Sequence, residues 1–283
     1  MFDIITFGSA TKDVFLEIEN PLIKKESFFL ELGKKIKIKK INFSSGGGGT
    51  NTAFTFSNQG FKTAYCGMIG QDDSGDEILK ELEKQKINTS LIQRTKLKPT
   101  NYSIIINHPH KDRTILTYRG ASSLLKSICF KKAFWFYIAP FENNKLFEKI
   151  LNFANKNNIK VAVNPGYEQF KGNWIQWIKK VDIIFVNELE YNILKNKLKQ
   201  FKGILNITQG PQGVSVFYNN KKYFKKTPNS KVLDRTGAGD SYASGFMSEY
   251  IRTNDIEKSM AYGVKNAISC LRKIGAKQGL LKK

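Results

Sequence analysis

Cysteine and histidine are scarce in this chain, three of the former and two of the latter among 283 residues. Cys66, Cys129 and Cys270 are odd in number and far apart, which excludes a disulfide framework or metal knuckle and leaves them as small core residues. His108 and His110 share one segment that reads as an exposed hairpin loop, so His-based catalysis and a multi-His metal site are not expected. No run of 18 apolar residues occurs, and Met1–Gly8 reads as a first strand rather than an export signal, so a cytoplasmic protein without a membrane partner is expected. Acids are also few, 24 Asp and Glu against 46 Lys and Arg, for a net charge of +22. That excess raises nucleic-acid binding as a function. The basic residues are spread over the whole chain, however, at predicted helix surfaces such as Lys80, Lys84 and Lys156. The reading is a solvated basic surface that attracts anionic substrates, with no specific nucleic-acid partner. Absent too are a G-x-x-x-x-G-K-[ST] loop, a G-x-S-x-G elbow and an H-E-x-x-H helix.

With 41% hydrophobic residues, the chain can bury a substantial core. Strands are expected at Ile4–Gly8, Thr63–Ile69, Phe134–Ala139, Val161–Asn164, Ile183–Asn187, Gly203–Thr208 and Val214–Tyr218. Helices are expected over Thr52–Gly60, Ser74–Lys86, Phe147–Asn158, Leu189–Leu198, Asp240–Arg252 and Ile256–Leu271. Such alternation predicts an α/β fold with a mostly parallel central sheet covered by helices on both faces, in one domain over 1–283. Val14–Glu19, Lys35–Phe43, Asn101–Asn107 and Thr114–Tyr118 interrupt it as strands without intervening helices. They predict a small antiparallel sheet from segments near 13–43 and 98–119, with His108–Arg113 as a hairpin loop. In Lys34–Lys40 the lysines alternate with Ile, the pattern of a strand with one charged face.

The run Asp234-Arg235-Thr236-Gly237-Ala238-Gly239-Asp240 precedes Ala243, Phe246, Met247, Tyr250 and Ile251, an apolar face of helical period, so a helix begins near Gly237. Its first N–H groups lack intrahelical acceptors and carry the positive end of the dipole, which suits a phosphate. Asp240 in the first turn could take a proton from an attacking hydroxyl; equally, a first-turn acid could merely complement the dipole. Similar ambiguity attends Ser44–Ala53, where four glycines and Asn51 lead into a helix, and Asn187-Glu188-Leu189-Glu190, which could cap a helix or reach a nucleotide's metal from a strand end.

These motifs together resemble the PfkB or ribokinase-like family of sugar and nucleoside kinases, over essentially the whole chain. The family's D-T-x-G-A-G-D signature matches 234–240 except that Arg235 stands where Thr is usual. The resemblance implies Asp240 as catalytic base and the backbone of Gly237, Ala238 and Gly239 as anion hole. The G-G-x-G-x-N-x-A signature matches from Gly46, so Gly46, Gly47 and Asn51, with Asp13 after the first strand, become sugar-binding candidates. The N-x-x-E motif falls on Asn187 and Glu190, with Glu190 implied near Mg2+, partly through water. Thr208-Gln209-Gly210-Pro211-Gln212-Gly213 resembles the nucleotide loop, which places Thr208 and Gly210 against ATP. Gly275–Gly279 resembles the loop that, with Asp234 and Thr236, holds a monovalent cation such as K+ in many members. Asn164 departs from the acid usual in the family, and Arg119 is either a phosphate clamp or a rim arginine.

The implied function is an ATP-dependent kinase acting on a hydroxymethyl group of a sugar, with a nucleoside acceptor as the alternative. The small sheet would be a lid over the sugar, able to pair with a second copy. A silent sugar- or nucleotide-binding protein on the same scaffold is the rival from another class.

Overall fold

The computed structural model describes residues 1–19, 21–24, 27–107, 113–140 and 143–283. The chain opens with β1 (Phe2–Phe7), passes through β2 (Thr11–Ile18), β3 (Leu22–Lys24), β4 (Ser27–Phe29) and β5 (Ile38–Gly46), and returns by helix α1 (Gly48–Asn58) to β6 (Thr63–Gly70). Helix α2 (Asp73–Lys84), β7 (Asn88–Thr95), β8 (Asn101–Asn107) and β9 (Thr114–Tyr118) follow. Then come β10 (Ala133–Ile138), α3 (Asn144–Lys156), β11 (Lys160–Val163), the short helices α4 (Tyr167–Phe170) and α5 (Trp174–Trp177), β12 (Ile183–Asn187), α6 (Glu188–Leu198) and β13 (Ile204–Thr208). A hairpin of β14 (Val214–Tyr218) and β15 (Lys221–Lys225) precedes the helices α7 (Ala238–Thr253) and α8 (Ile256–Leu271).

The main sheet has the order β15-β14-β13-β12-β11-β10-β1-β6-β7, parallel from β13 to β7, with the terminal hairpin antiparallel. Successive side chains of its strands serve opposite faces, as the pleat requires. Ile5 and Phe7 pack with Leu146, Phe147 and Ile150 of α3, whereas Ile4 packs on the other face with Phe246 and Met247 of α7. Helices therefore cover both sides, as expected of parallel strands with buried apolar runs. The chain moves from β1 to one side of the sheet and resumes at β10 on the other. A crevice at the carboxyl ends of β1 and β10 follows from that reversal.

The small sheet, in the order β5-β2-β8-β9, corrects one expectation. β2–β5 and β8–β9 are antiparallel, but β2–β8 is parallel. Both β2 and β8 leave the carboxyl ends of parallel strands, β1 and β7, so they run outward in the same direction. The Lys34–Lys40 cluster is also only partly a strand: β5 begins at Ile38, where its partner β2 ends at Ile18 after a register shift at Glu17. Residues 108–112 of the hairpin loop, His108 and His110 among them, lie outside the described residues. Among the described residues no helix is long and apolar enough to cross a membrane.

Candidate active site

Two cavities meet at the start of α7. The first, about 490 Å3, lies between the main and small sheets and is lined by Asp13, Gly47, Asn51, Thr236, Gly237 and Asp240 together with Ser103, Arg113 and Arg119. The second, about 320 Å3, is lined by Thr208, Gly210, Arg235, Ala238, Gly239 and Tyr242, with an apolar wall from Val264 and Ile268 of α8. Residues 237–240 thus form the wall between them. Gly237 caps α7 with φ 74°, a left-handed conformation that L side chains resist, and a Cβ there would overlap Ala276. Ser241 N donates to Gly237 O at 2.8 Å as the helix begins, and of the amides ahead of it Ala238 N makes a long 3.5 Å contact with Arg235 O.

Asp240 accepts a hydrogen bond from Asn51 Nδ2 at 2.8 Å. Asn51 Oδ1 is buried without a hydrogen-bond partner among the described residues, an acceptor waiting for a donor. Burial pushes the Asp240 carboxyl up, against the Asn51 bond, which favours the ionised form. Asp13 projects from β2 and is 4% exposed. Its pKa is raised to about 6, chiefly by burial, opposed by the Ser103 hydroxyl and the Lys277 ammonium and reinforced by the Asp234 and Asp240 carboxylates. Gly46 does not line the cavity but fits behind it, since a Cβ there would overlap Asp13 Oδ2. Asp234 is fully engaged: Oδ1 accepts from Thr236 N at 3.0 Å and Thr236 Oγ1 at 2.8 Å, and Oδ2 accepts from Gly275 N at 2.9 Å. Nearby, Thr236 O, Gly275 O and Ala276 O converge at 3.5 to 3.9 Å on the Cys270 thiol.

Asn187 and Glu190 line neither cavity. They form a reciprocal capping box on α6, Asn187 N donating to Glu190 Oε2 at 2.8 Å and Glu190 N to Asn187 Oδ1 at 2.9 Å. One Glu190 oxygen stays outside that box, and burial raises the carboxyl's pKa. Both Glu190 and Asp240 act electrostatically on the buried Tyr137 of β10. Burial and then these two carboxylates push its phenol up, and its hydroxyl has no partner among the described residues. Asn164 Nδ2 donates to Phe185 O at 2.9 Å, tying β11 to β12. Arg119 lines the first cavity.

Ser103, Arg113 and Tyr137 were not evident from the motifs. Ser103 left one trace, since Asn101, Ser103 and Asn107 put polar groups among the apolar residues of one strand. Tyr137 left none, because a tyrosine in an apolar strand reads as core.

The pfkB family carbohydrate kinase model matches residues 13–283. The chain is 24% identical to the ribokinase of Haemophilus influenzae over 278 residues, 89% of each chain. In structure it resembles the Methanocaldococcus jannaschii nucleoside kinase with a TM-score of 0.84 at 23% identity, over 99% of this chain and 95% of that one. It also resembles Arabidopsis thaliana ribokinase, solved with ribose and ATP, with a TM-score of 0.82 at 18% identity over 99% and 96%. With its match extending over nearly the whole sequence, the chain belongs to the pfkB family of carbohydrate kinases.

Proposed function

We propose that this protein is a cytoplasmic, ATP-dependent kinase that phosphorylates a hydroxymethyl group of a ribose-like sugar. The observation that carries the reading is the Asn51–Asp240 pair beside the mouth of α7, with one cavity on either side of residues 237–240. The sugar occupies the first cavity, gripped by Asp13 and Asn51 against Gly47, with Gly46 behind the Asp13 carboxylate. ATP occupies the second, against Thr208 and Gly210. Asp240 accepts the alcohol proton as the acceptor oxygen bonds to the γ-phosphorus and the bond to the departing ADP oxygen breaks. The amides of Gly237, Ala238 and Gly239 stabilise charge on the transferring group. The four-stranded small sheet closes over the sugar as a lid within one domain.

Mg2+ suits Glu190, since the ion takes few carboxylates, and it would offset phosphate charge when bound. Its other ligands would be waters and phosphate oxygens, with Asn187 holding the Glu190 carboxylate in place. The oxygen donors near Asp234 and Thr236 are of the kind K+ accepts, and we assign them that role. A nucleoside acceptor is the second reading, favoured by the apolar wall of Ile105, Ile115 and Leu125 and by Tyr102 and Tyr118, on which a base could lie.

Incubation with ATP, Mg2+ and a panel of ribose, other sugars and nucleosides, scored by ADP release, tests the proposal; no release with any acceptor defeats it in favour of a silent binding protein. Asp240→Asn is expected to lower turnover by about a hundredfold or more while ATP binding persists. Unchanged turnover in that variant would remove the base assignment.

A further inference from the structure

Lys277 lies in the loop after α8, within the Gly275–Gly279 segment but with no role assigned to it so far, and is buried, its side chain 1% exposed. Burial depresses the pKa of a lysine, and here the opposing influences are Glu81 and Asp13. Its ammonium donates to Ser45 Oγ at 2.6 Å and to Glu81 Oε2 at 3.1 Å, and stands 4.5 Å from the centre of the Phe54 ring. These partners come from three elements: Ser45 from the root of β5, Glu81 from α2 and Phe54 from α1. Ser45 also donates to Glu81, and one turn earlier on α2 Glu77 pairs with Lys12 of β2.

The contacts through Ser45 and Lys12 reach the strand segments that cradle Asp13. Ser45 pairs in register with Lys12, and Gly46, the next residue, is the one against which the Asp13 carboxylate rests. The strongest influences on the Asp13 carboxyl besides burial come from the Ser103 hydroxyl of β8, the Lys277 ammonium of the carboxyl-terminal loop, and the Asp234 and Asp240 carboxylates. Lys277 is the cation in that set. A buried cation costs free energy unless it is paired, so its retention here calls for an account.

Resting on the acceptor reading above, we propose that Lys277 is a positioning residue for acceptor binding: anchored by Glu81 and Ser45, its ammonium locks the root of the small sheet and holds the Asp13 carboxylate in place. ATP, on the far side of residues 237–240, gains nothing from it.

The test is Lys277→Met, which keeps the apolar stem against Phe54, with Lys277→Arg as the charge-retaining variant. Hydrogen exchange of the whole protein without ligands is expected to speed up about tenfold or more at residues 11–13 and 44–46 in the Met variant, and less in the Arg variant. With the acceptor that releases most ADP in the panel, KM for that acceptor is expected to rise about tenfold in Lys277→Met. KM for ATP and kcat at saturating acceptor should change by no more than about twofold, and Lys277→Arg should recover most of the loss. Unaltered exchange at those residues, or an acceptor KM that does not move, overturns the proposal. The exchange measurement decides it even if no acceptor in the panel is turned over, an outcome that would count against the kinase reading alone.

Discussion

Asp13 is a carboxylate buried beside two others, and its protonation follows from that crowding. With a folded-state pKa of about 6 against an ordinary 3.8, the folded protein holds this proton more tightly than the unfolded chain does. The stability so gained is fully present below pH 3.8 and is lost as pH rises through about 6. At neutral pH the ionised Asp13 therefore costs the empty enzyme on the order of 3 kcal/mol, from about 1.4 kcal/mol per pKa unit. Asp13→Asn is accordingly expected to raise Tm at pH 7.5 but not at pH 4, in a thermal melt without ligands. The same variant should raise acceptor KM at least about tenfold, as removal of a charged hydrogen-bond acceptor does. Equal melting shifts at both pH values would contradict the assignment. For the native protein, acceptor kcat/KM should fall as pH drops below about 6, because the protonated carboxyl loses acceptor capacity.

At the level of elements, the glycine-rich starts of α1 and α7 set the geometry. The sequence reading begins the body of the first helix at Thr52, yet α1 starts at Gly48. Glycine has poor helix propensity, and tertiary packing overrides it: a Cβ at Gly49 would stand 2.7 Å from the Tyr65 ring and 3.0 Å from the Gly8 backbone. Thr50 and Thr52 hydroxyls, each 2.7 Å from the carbonyls of Gly46 and Gly48, stabilise that first turn. The start of α7 near Gly237 is legible because an apolar face of period 3.6 follows it. Gly237→Ala would strain a left-handed residue by about 1 kcal/mol or more and drive a methyl into Ala276. Activity is expected to fall more than about tenfold with a Tm loss of a few degrees, measured by ADP release and calorimetry. The strands β7 and β15 escape sequence reading for a different reason. Each borders an edge of the main sheet, with few buried positions and many polar or charged ones, as edge strands carry.

Across the whole molecule, the small sheet has two unlike faces. In register across its four strands, Ser44, Asp13, Ser103 and Thr117 form one row, and Phe43, Val14, Ile104 and Leu116 form another on the opposite face. Asp13, Ser103 and Thr117 of the first row bound the cavity, whereas in the second Phe43 is 61% and Leu116 50% exposed. We propose that a second copy, as the sequence reading of the lid allows, covers this apolar strip. Sedimentation at micromolar concentration is then expected to show a dimer, and Phe43→Lys combined with Leu116→Lys a monomer with unchanged fold. A native protein that sediments as a monomer at all concentrations would remove the proposal.

The periodicities and glycine runs of the sequence determined by themselves the alternation of strands and helices, the start of α7 and the identity of the polar residues that gather there, because those depend on local geometry and side-chain chemistry. Only the tertiary structure decided that Asn51 meets Asp240 across 189 positions, that Glu190 caps its own helix outside both cavities, and that Lys277 reaches the root of the small sheet. The parallel pairing of β2 with β8 belongs with them. Such contacts join segments whose local patterns are independent of one another, so burial and strand order select them after the elements have formed.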